Sequence, residues 1–197
     1  FLTRVFSSMV NFVSSAQTLG YFESFFSSKT NPVLIILASS AFPISQGFLR
    51  ILFIFIFAII FDSDSLTILN LFQIFIVLLL SIIPFVGIGL IISSVVIVYK
   101  RASFVSSIFL IGCIAFSGVI FPIDVLPLFL QKISLIFPSS YTLDLVRSLI
   151  IEEKHIIEML KDFSAIIVLS FFYLMMGIFV AQSSIIKAKK NGTIGHY

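Results

Sequence analysis

A run of 33 residues, from Leu66 to Val98, contains no charged side chain. As a helix it would be about 50 Å long, whereas the hydrocarbon core of a bilayer is about 30 Å thick and takes about 20 residues to cross. The run therefore predicts a membrane span over about 66–98 that tilts, bends or protrudes. Pro84, Gly87 and Gly89 are the predicted bend, and the two glycines would also let neighbouring helices approach closely.

Other apolar runs predict further spans at about 41–61, 103–121 and 163–186. Hydrophobic residues make up 59% of the chain and charged residues only 11%, against about 25% charged in soluble domains. We therefore expect an all-α, polytopic transmembrane helix bundle that forms one domain over 1–197. Residues 1–20 predict the inner part of a truncated span, with an interfacial helix as the alternative. Because the chain opens on Phe1 and not on Met, we expect its true start to lie upstream.

The stretch from Phe116 to Arg147 is broken by three prolines, Pro122, Pro127 and Pro138. Proline removes a backbone donor and clashes with the preceding turn, so each one breaks a helix. The apolar piece between the breaks, 125–137, is too short to cross a bilayer. The pattern predicts a span that ends at one membrane face, followed by a re-entrant helical hairpin over 122–142.

This stretch resembles the permeases of type-2 ATP-binding cassette (ABC) exporters. Their pattern is Ser-Gly-x-x-Phe-Pro, then Leu-Pro, a short helix, a further Pro, a polar turn with Tyr, and an Arg. The matching positions are Ser117, Gly118, Phe121, Pro122, Leu126, Pro127, Pro138, Tyr141 and Arg147. A proline-broken hairpin of some other polytopic protein is the alternative.

A second part of the resemblance lies nearer the start of the chain. Similar permeases carry Gly-x-x-Glu, two large apolar residues, then Ser or Thr and Pro. Here these are Gly20, Glu23, Phe25, Phe26, Ser28 and Pro32. The resemblance implies that 21–40 is a cytoplasmic coupling helix that docks on an ATPase, whereas a solvated helix end is the alternative for Glu23.

Charge is distributed unevenly between the two predicted sides of the membrane. Residues 1–40, the 99–102 loop and the tail contain one acid, Glu23, and the following basic residues: Arg4, Lys29, Lys100, Arg101, Lys187, Lys189 and Lys190. The other side holds the remaining eight acids. Basic residues near span ends mark the cytoplasmic side, so we expect the coupling region and the C-terminus in the cytoplasm of a cell-membrane protein, and the hairpin outside.

The sequence has no phosphate-binding loop of the G-x-x-x-x-G-K-[ST] type, no catalytic set and no metal-ligand cluster. We expect no enzyme activity, metal or cofactor in this chain, and its net charge of +3 does not indicate nucleic-acid binding. The resemblance implies ATP and Mg on a separate ABC ATPase, a second permease subunit that forms a homodimer, and surrounding membrane lipids.

The predicted function is the permease subunit of an ATP-driven exporter for an amphiphilic or lipid-linked substrate, a drug or a glycan. Arg50, inside a predicted span, is a candidate residue of the translocation path, with snorkelling or pairing inside the bundle as the alternative. A secondary carrier or channel, or a membrane scaffold that transports nothing, stays open as another class. A carrier would need intramembrane polar pairs or inverted repeats, and the sequence shows neither.

Overall fold

A computed structural model describes residues 2–20, 30–61, 68–99, 102–120, 123–151 and 156–190. All regular structure within these residues is helical, which confirms the predicted all-α class. In chain order the helices are α1 (Leu2–Thr18), α2 (Pro32–Ala38), α3 (Ala41–Phe61), α4 (Ile68–Tyr99), α5 (Ala102–Phe116), α6 (Leu128–Ser134), α7 (Pro138–Ile151) and α8 (Leu160–Lys190). Short 3-10 turns cover Ile123–Val125 and Ile156–Met159.

Three helical segments of the described chain are long and apolar enough to cross a membrane. They are Pro32–Phe57, Leu69–Tyr99 and Leu160–Ala188. Large apolar side chains on them are exposed, among them Ile54 and Phe171. Apolar surface on this scale is rare on soluble proteins and is what a lipid environment solvates.

The predicted span over 103–121 differs from the helix in the structure. It was expected over 103–121, but α5 ends at Phe116 and is 15 residues long, or about 22 Å. The helix stops here because Gly118 has a φ of +78°, a left-handed conformation that a right-handed helix does not accommodate.

The described residues fall into two compact units, each built from separated stretches of chain. The first unit draws on Phe1–Ile44, Phe85–Leu110 and Phe172–Tyr197, and the second on Ser45–Pro84 and Ile111–Phe171.

In the first unit, α1 buries one stripe of side chains. The buried apolar residues recur at helical spacing: Val5, Phe6, Met9, Val10, Val13 and Ala16. Gly89 of α4 is packed so closely against this stripe that a Cβ there would lie 2.5 Å from the Met9 sulfur. At the end of α1, the Gln17 side-chain amide donates to the Ile97 carbonyl at 3.4 Å. The amphipathic α1 is therefore a packed element of this unit.

Helices α4 and α8 also meet at glycines in the first unit. A Cβ on Gly87 would lie 2.4 Å from the Tyr173 backbone, and one on Gly177 would lie 2.5 Å from the Gly87 carbonyl oxygen. These atoms are backbone and cannot move aside as a flexible side chain would. The crossing therefore depends on the absence of side chains at both positions.

The second unit has a core formed by α4, α7 and α8. Its fully packed members are Ile74, Val77, Leu145, Leu149 and Ile166. Tyr141 and Phe163 pack against them from the side. This core fixes α7, the last helix of the hairpin, and so positions the polar groups described next.

Candidate functional site

A glycine turn directly after α5 leads into the predicted hairpin. The Ser117 hydroxyl donates to the Ile114 carbonyl at 3.0 Å and accepts from the Val119 N–H at 3.4 Å. Gly118 follows with its φ of +78°, a conformation that costs glycine little and other residues more. A Cβ at this position would also lie 3.3 Å from the Ile123 side chain. Both the backbone and the packing therefore favour glycine here.

Arg147 of α7, which lies 29 residues further along the chain, forms a hydrogen bond to this turn. One of its terminal guanidinium nitrogens donates to the Gly118 carbonyl at 2.9 Å. A charged donor makes a stronger hydrogen bond than a neutral one. The structure thus brings together Ser117, Gly118 and Arg147, three of the residues that the resemblance singles out.

The middle of the hairpin is a 3-10 turn and the seven-residue helix α6. Pro127 precedes α6 as its N-cap residue, with extended backbone angles, and the Gln131 side-chain amide donates back to the Leu126 carbonyl at 2.8 Å. At about 10 Å in length, α6 is far too short to cross a bilayer.

Pro138 begins α7 as its first residue, where its missing N–H removes no helical hydrogen bond. Just before it, Phe137 stacks on Phe116 with ring centroids 5.3 Å apart. The Phe137 ring also lies against Gly112, where a Cβ would be 3.2 Å from the ring edge. The return from α6 into α7 is therefore packed directly on the last turns of α5.

Ser140 of α7 makes hydrogen-bond contacts to the ends of α5 and α6. The sequence did not indicate this role. Its hydroxyl lies 2.9 Å from the Phe116 carbonyl and 2.8 Å from the Ser134 carbonyl. Phe116 and Ser134 are the last residues of α5 and α6, and carbonyls at helix C-termini lack partners within their own helix. The buried Ser140 hydroxyl therefore lies between the two helix ends and donates to one carbonyl at a time, while the Ser134 carbonyl also accepts from the Phe137 N–H at 3.0 Å. The only local signal is a polar residue in the first turn after Pro138.

A second buried hydroxyl fixes α7 against α4. Thr142 donates to the Ser81 hydroxyl at 2.8 Å, and Ser81 donates to the Val77 carbonyl at 2.7 Å. Both side chains are almost completely buried. Since an unpaired buried hydroxyl is costly in an apolar setting, this chain of bonds fixes the register of α7.

A cavity of about 350 Å³ opens between the hairpin and the start of α8. Its apolar wall is Ile123, Leu128 and Leu135, and its polar lining comprises Gln131, Lys132, Ser134, Ser140, Tyr141, Asp144 and Asp162. Partial burial raises the pKa of the Tyr141 phenol, and the negative charge of Asp162 raises it further. The phenol therefore stays protonated at neutral pH beside a carboxylate.

The structure leaves part of the predicted site unplaced. Phe121 and Pro122 of the hairpin lie outside the described residues, as do four predicted coupling residues, Glu23, Phe25, Phe26 and Ser28. Pro32 is described and is the first residue of α2. Its N-cap is Asn31, whose side chain accepts from the Val33 N–H at 3.0 Å.

Arg50 is exposed on α3, in a shallow depression with Phe53, Ile54 and Phe57. It does not line the cavity at the hairpin. The structure therefore does not bring the candidate translocation residue together with the hairpin residues.

The described part of the chain is thus a multi-pass helical membrane protein. Its helices are interrupted between α5 and α7, and hydrogen bonds from Arg147 and Ser140 stabilise this interruption. The family model for ABC-2 type transporters matches residues 1–151, and the chain belongs to this family. Comparison with curated proteins and with solved structures gave no match. The protein is therefore a membrane permease domain of an ABC transporter, a transport subunit in a family that normally pairs with a cytoplasmic ABC ATPase and does not itself catalyse a reaction.

Proposed function

We propose that this chain is the permease subunit of an ATP-driven exporter in the cell membrane. In this proposal two copies form the path, two ATPase subunits bind ATP and Mg, and an amphiphilic or lipid-linked substrate, a drug or a glycan leaves the cytoplasm. The observation that carries the proposal is the interruption between α5 and α7 in a chain of the ABC-2 family.

The mechanism assigns separate roles to the two ends of the spans. Closure of the ATPase dimer on ATP would move the segment 21–40, and the motion would pass into the helices. Such a switch works only because the partner binds one conformation more tightly than the other. The hairpin, held by the Arg147 and Ser140 contacts, would move as one piece at the exit.

The coupling role of Glu23, Phe25 and Phe26 is tested by co-expression with ABC ATPases from the same organism. The wild-type chain, affinity-tagged, should retain the ATPase through purification and support ATP hydrolysis. Replacing the three residues together by Ala should lower both retention and hydrolysis at least about tenfold, as loss of interface anchor residues does.

A matched control replaces Glu158 and Phe171, which are exposed elsewhere in the chain, and should leave both readings unchanged. Full ATPase retention by the triple variant would contradict the coupling role. If the wild-type chain neither retains the ATPase nor alters its hydrolysis rate, the exporter proposal is wrong, and a carrier or a scaffold becomes the better class.

A further inference from the structure

Arg50 lies on the side of α3 that faces away from the core of the second unit. Successive residues of a helix are about 100° apart around its axis, which places Phe48 and Phe55 about 160° and 140° from Arg50. Phe48 contacts the Phe75 ring of α4, with ring centroids 5.9 Å apart, and Phe55 packs against the buried core. Arg50 itself is exposed. It therefore lies on the face of α3 opposite to the contact with α4.

The surroundings of Arg50 are those of a membrane span. The helical segment that contains it, Pro32–Phe57, is long and apolar enough to cross a bilayer. The residues that share its shallow depression are all apolar: Phe53, Ile54 and Phe57. A charged side chain at such a position is costly in lipid and is usually paired or reaches the membrane surface. The guanidinium group therefore needs an anionic partner.

The chain itself offers no carboxylate near Arg50 inside the membrane. No acid occurs between Glu23 and Asp62, and α3 extends to Phe61, about 16 Å beyond Arg50, before Asp62 is reached. Asp162 lines the cavity at the hairpin, which Arg50 does not line. A second copy of the chain would not supply the partner either, because the candidate spans contain a single acid, Asp162 in the first turn of α8. The anionic partner therefore comes from outside this chain.

The exposed face around Arg50 is polar toward the start of α3 and apolar toward its end. Gln46 lies one turn earlier, about 40° away around the helix axis, and is exposed. Helical side chains lean toward the N-terminus, so the guanidinium group lies toward Gln46. Phe53, Ile54 and Phe57 follow in the next two turns and are exposed. This order matches a phospholipid whose headgroup lies at Arg50 and whose acyl chain runs along the apolar residues.

We propose that this face of α3 binds an anionic phospholipid, in the leaflet at the N-terminal end of the helix. Arg50 donates to the lipid phosphate, which a guanidinium group can bind through two parallel hydrogen bonds. An acyl chain covers Phe53 and Phe57. A lipid without an ammonium group is preferred, because the depression around Arg50 has no carboxylate to accept from one. The inference goes beyond the proposed function, since it requires neither ATP nor the ATPase.

Native mass spectrometry of the detergent-purified full chain measures the retained lipid. The probes are phosphatidylglycerol and phosphatidylcholine with the same acyl chains, because both carry a phosphate and only the second carries an ammonium. We expect the wild-type chain to retain phosphatidylglycerol in preference. Arg50→Gln should lower that retention about tenfold, as loss of a hydrogen bond to a charged group does. Arg50→Lys should lower it less, since lysine keeps the charge and loses the two parallel hydrogen bonds.

Lys161→Gln is the matched control, because it removes one positive charge from another exposed residue. It should retain phosphatidylglycerol as the wild type does. The thermal unfolding midpoint is a second readout, since a ligand that binds the folded state raises it. Added phosphatidylglycerol should raise the midpoint of the wild type and of Lys161→Gln, but not that of Arg50→Gln.

Equal retention of phosphatidylglycerol by the wild type and Arg50→Gln would overturn the proposal. Equal losses in Arg50→Gln and Lys161→Gln would also overturn it, because retention would then follow net charge alone, and so would equal retention of the two lipids. The same spectra report the oligomeric state. A dimer that Arg50→Gln dissociates with no change in lipid retention would assign Arg50 to a protein interface and reject the lipid site. ATPase retention in the co-expression experiment is a separate reading, so failure of one claim is distinguishable from failure of the other.

Discussion

Gly118 occupies a position where the backbone conformation disfavours a side chain and the Ile123 side chain leaves little room for one. Its φ is +78°, and a Cβ at this position would lie 3.3 Å from the Ile123 side chain. We expect Gly118→Ala to destabilise the protein by the ~1–2 kcal/mol that a left-handed residue costs, and any further loss of stability would come from the Ile123 contact. The measurement is the thermal unfolding midpoint by circular dichroism in detergent.

Gly20 provides the matched control for this substitution. It has a φ of +76°, and a Cβ there would have open space around it, so Gly20→Ala reports the backbone cost alone. A Gly118→Ala protein as stable as Gly20→Ala would show that the Ile123 side chain moves aside at no measurable cost. A Gly118→Ala protein as stable as the wild type would show that Gly118 does not adopt the left-handed conformation.

Ser140 carries the largest expected effect of any hydroxyl in the hairpin. Ser140→Ala would remove the hydroxyl that donates to the Phe116 carbonyl at the end of α5, whereas the Ser134 carbonyl keeps the Phe137 N–H. Leaving one buried acceptor unsatisfied costs about 1–3 kcal/mol. The only cysteine, Cys113, is buried in α5 and provides the readout, because a thiol-reactive dye reaches it only when the structure opens. We expect faster labelling of Cys113 in Ser140→Ala.

Ser139→Ala is the neighbouring control. Its hydroxyl lies 3.5 Å from the Cys113 carbonyl, a long contact that contributes little. Equal labelling rates in the Ser139 and Ser140 variants would refute the assignment of Ser140 as a hydroxyl that stabilises the junction of α5, α6 and α7.

At the scale of elements, the crossing of α4 and α8 at Gly87 and Gly177 makes a separate prediction. Gly177→Ala would place a methyl group 2.5 Å from a backbone carbonyl, and the helices would have to separate. Overpacking of this kind costs about 1–3 kcal/mol, to be measured as a lower thermal midpoint. Gly112→Ala is the control, because it meets the edge of a Phe137 ring at 3.2 Å, and a side chain can move. A midpoint for Gly177→Ala equal to that of the control would mean that the backbones do not touch.

The helix breaks at Pro127 and Pro138 are the part of the fold that could be predicted most directly from the sequence. Pro127 and Pro138 act within their own turns, and the structure places one before α6 and the other at the start of α7. Gly118 is harder to interpret, because glycine is also common inside membrane helices. The apolar run continues through Gly118 to Phe121, so the sequence predicts a span that ends at 121, whereas α5 ends at Phe116.

Contacts between distant parts of the chain could not be predicted from the sequence. Ser140 meets the ends of two helices, Arg147 reaches Gly118, and Gly177 meets Gly87. Each of these depends on which helices pack together, and a single sequence does not specify that. The cavity lined by Lys132, Asp144 and Asp162 could not be predicted either, because these residues come from three different helices.

For the whole molecule, the proposed function requires the segment 21–40 and the hairpin to be reached from opposite sides of the membrane. The basic residues at the end of α8, Lys187 and Lys190, favour the cytoplasm for that end. The acids around the hairpin, Asp144 and Asp162, are consistent with the other side.

Labelling with a membrane-impermeant thiol reagent tests this arrangement most directly. In a Cys113→Ala background, a cysteine is introduced at Leu128 in the hairpin or at Lys190 at the end of α8, both of which are exposed. We predict that Leu128→Cys is labelled in intact cells and Lys190→Cys only in inside-out vesicles. Labelling of both from the same side, or of Leu128→Cys from the cytoplasm alone, would contradict the account.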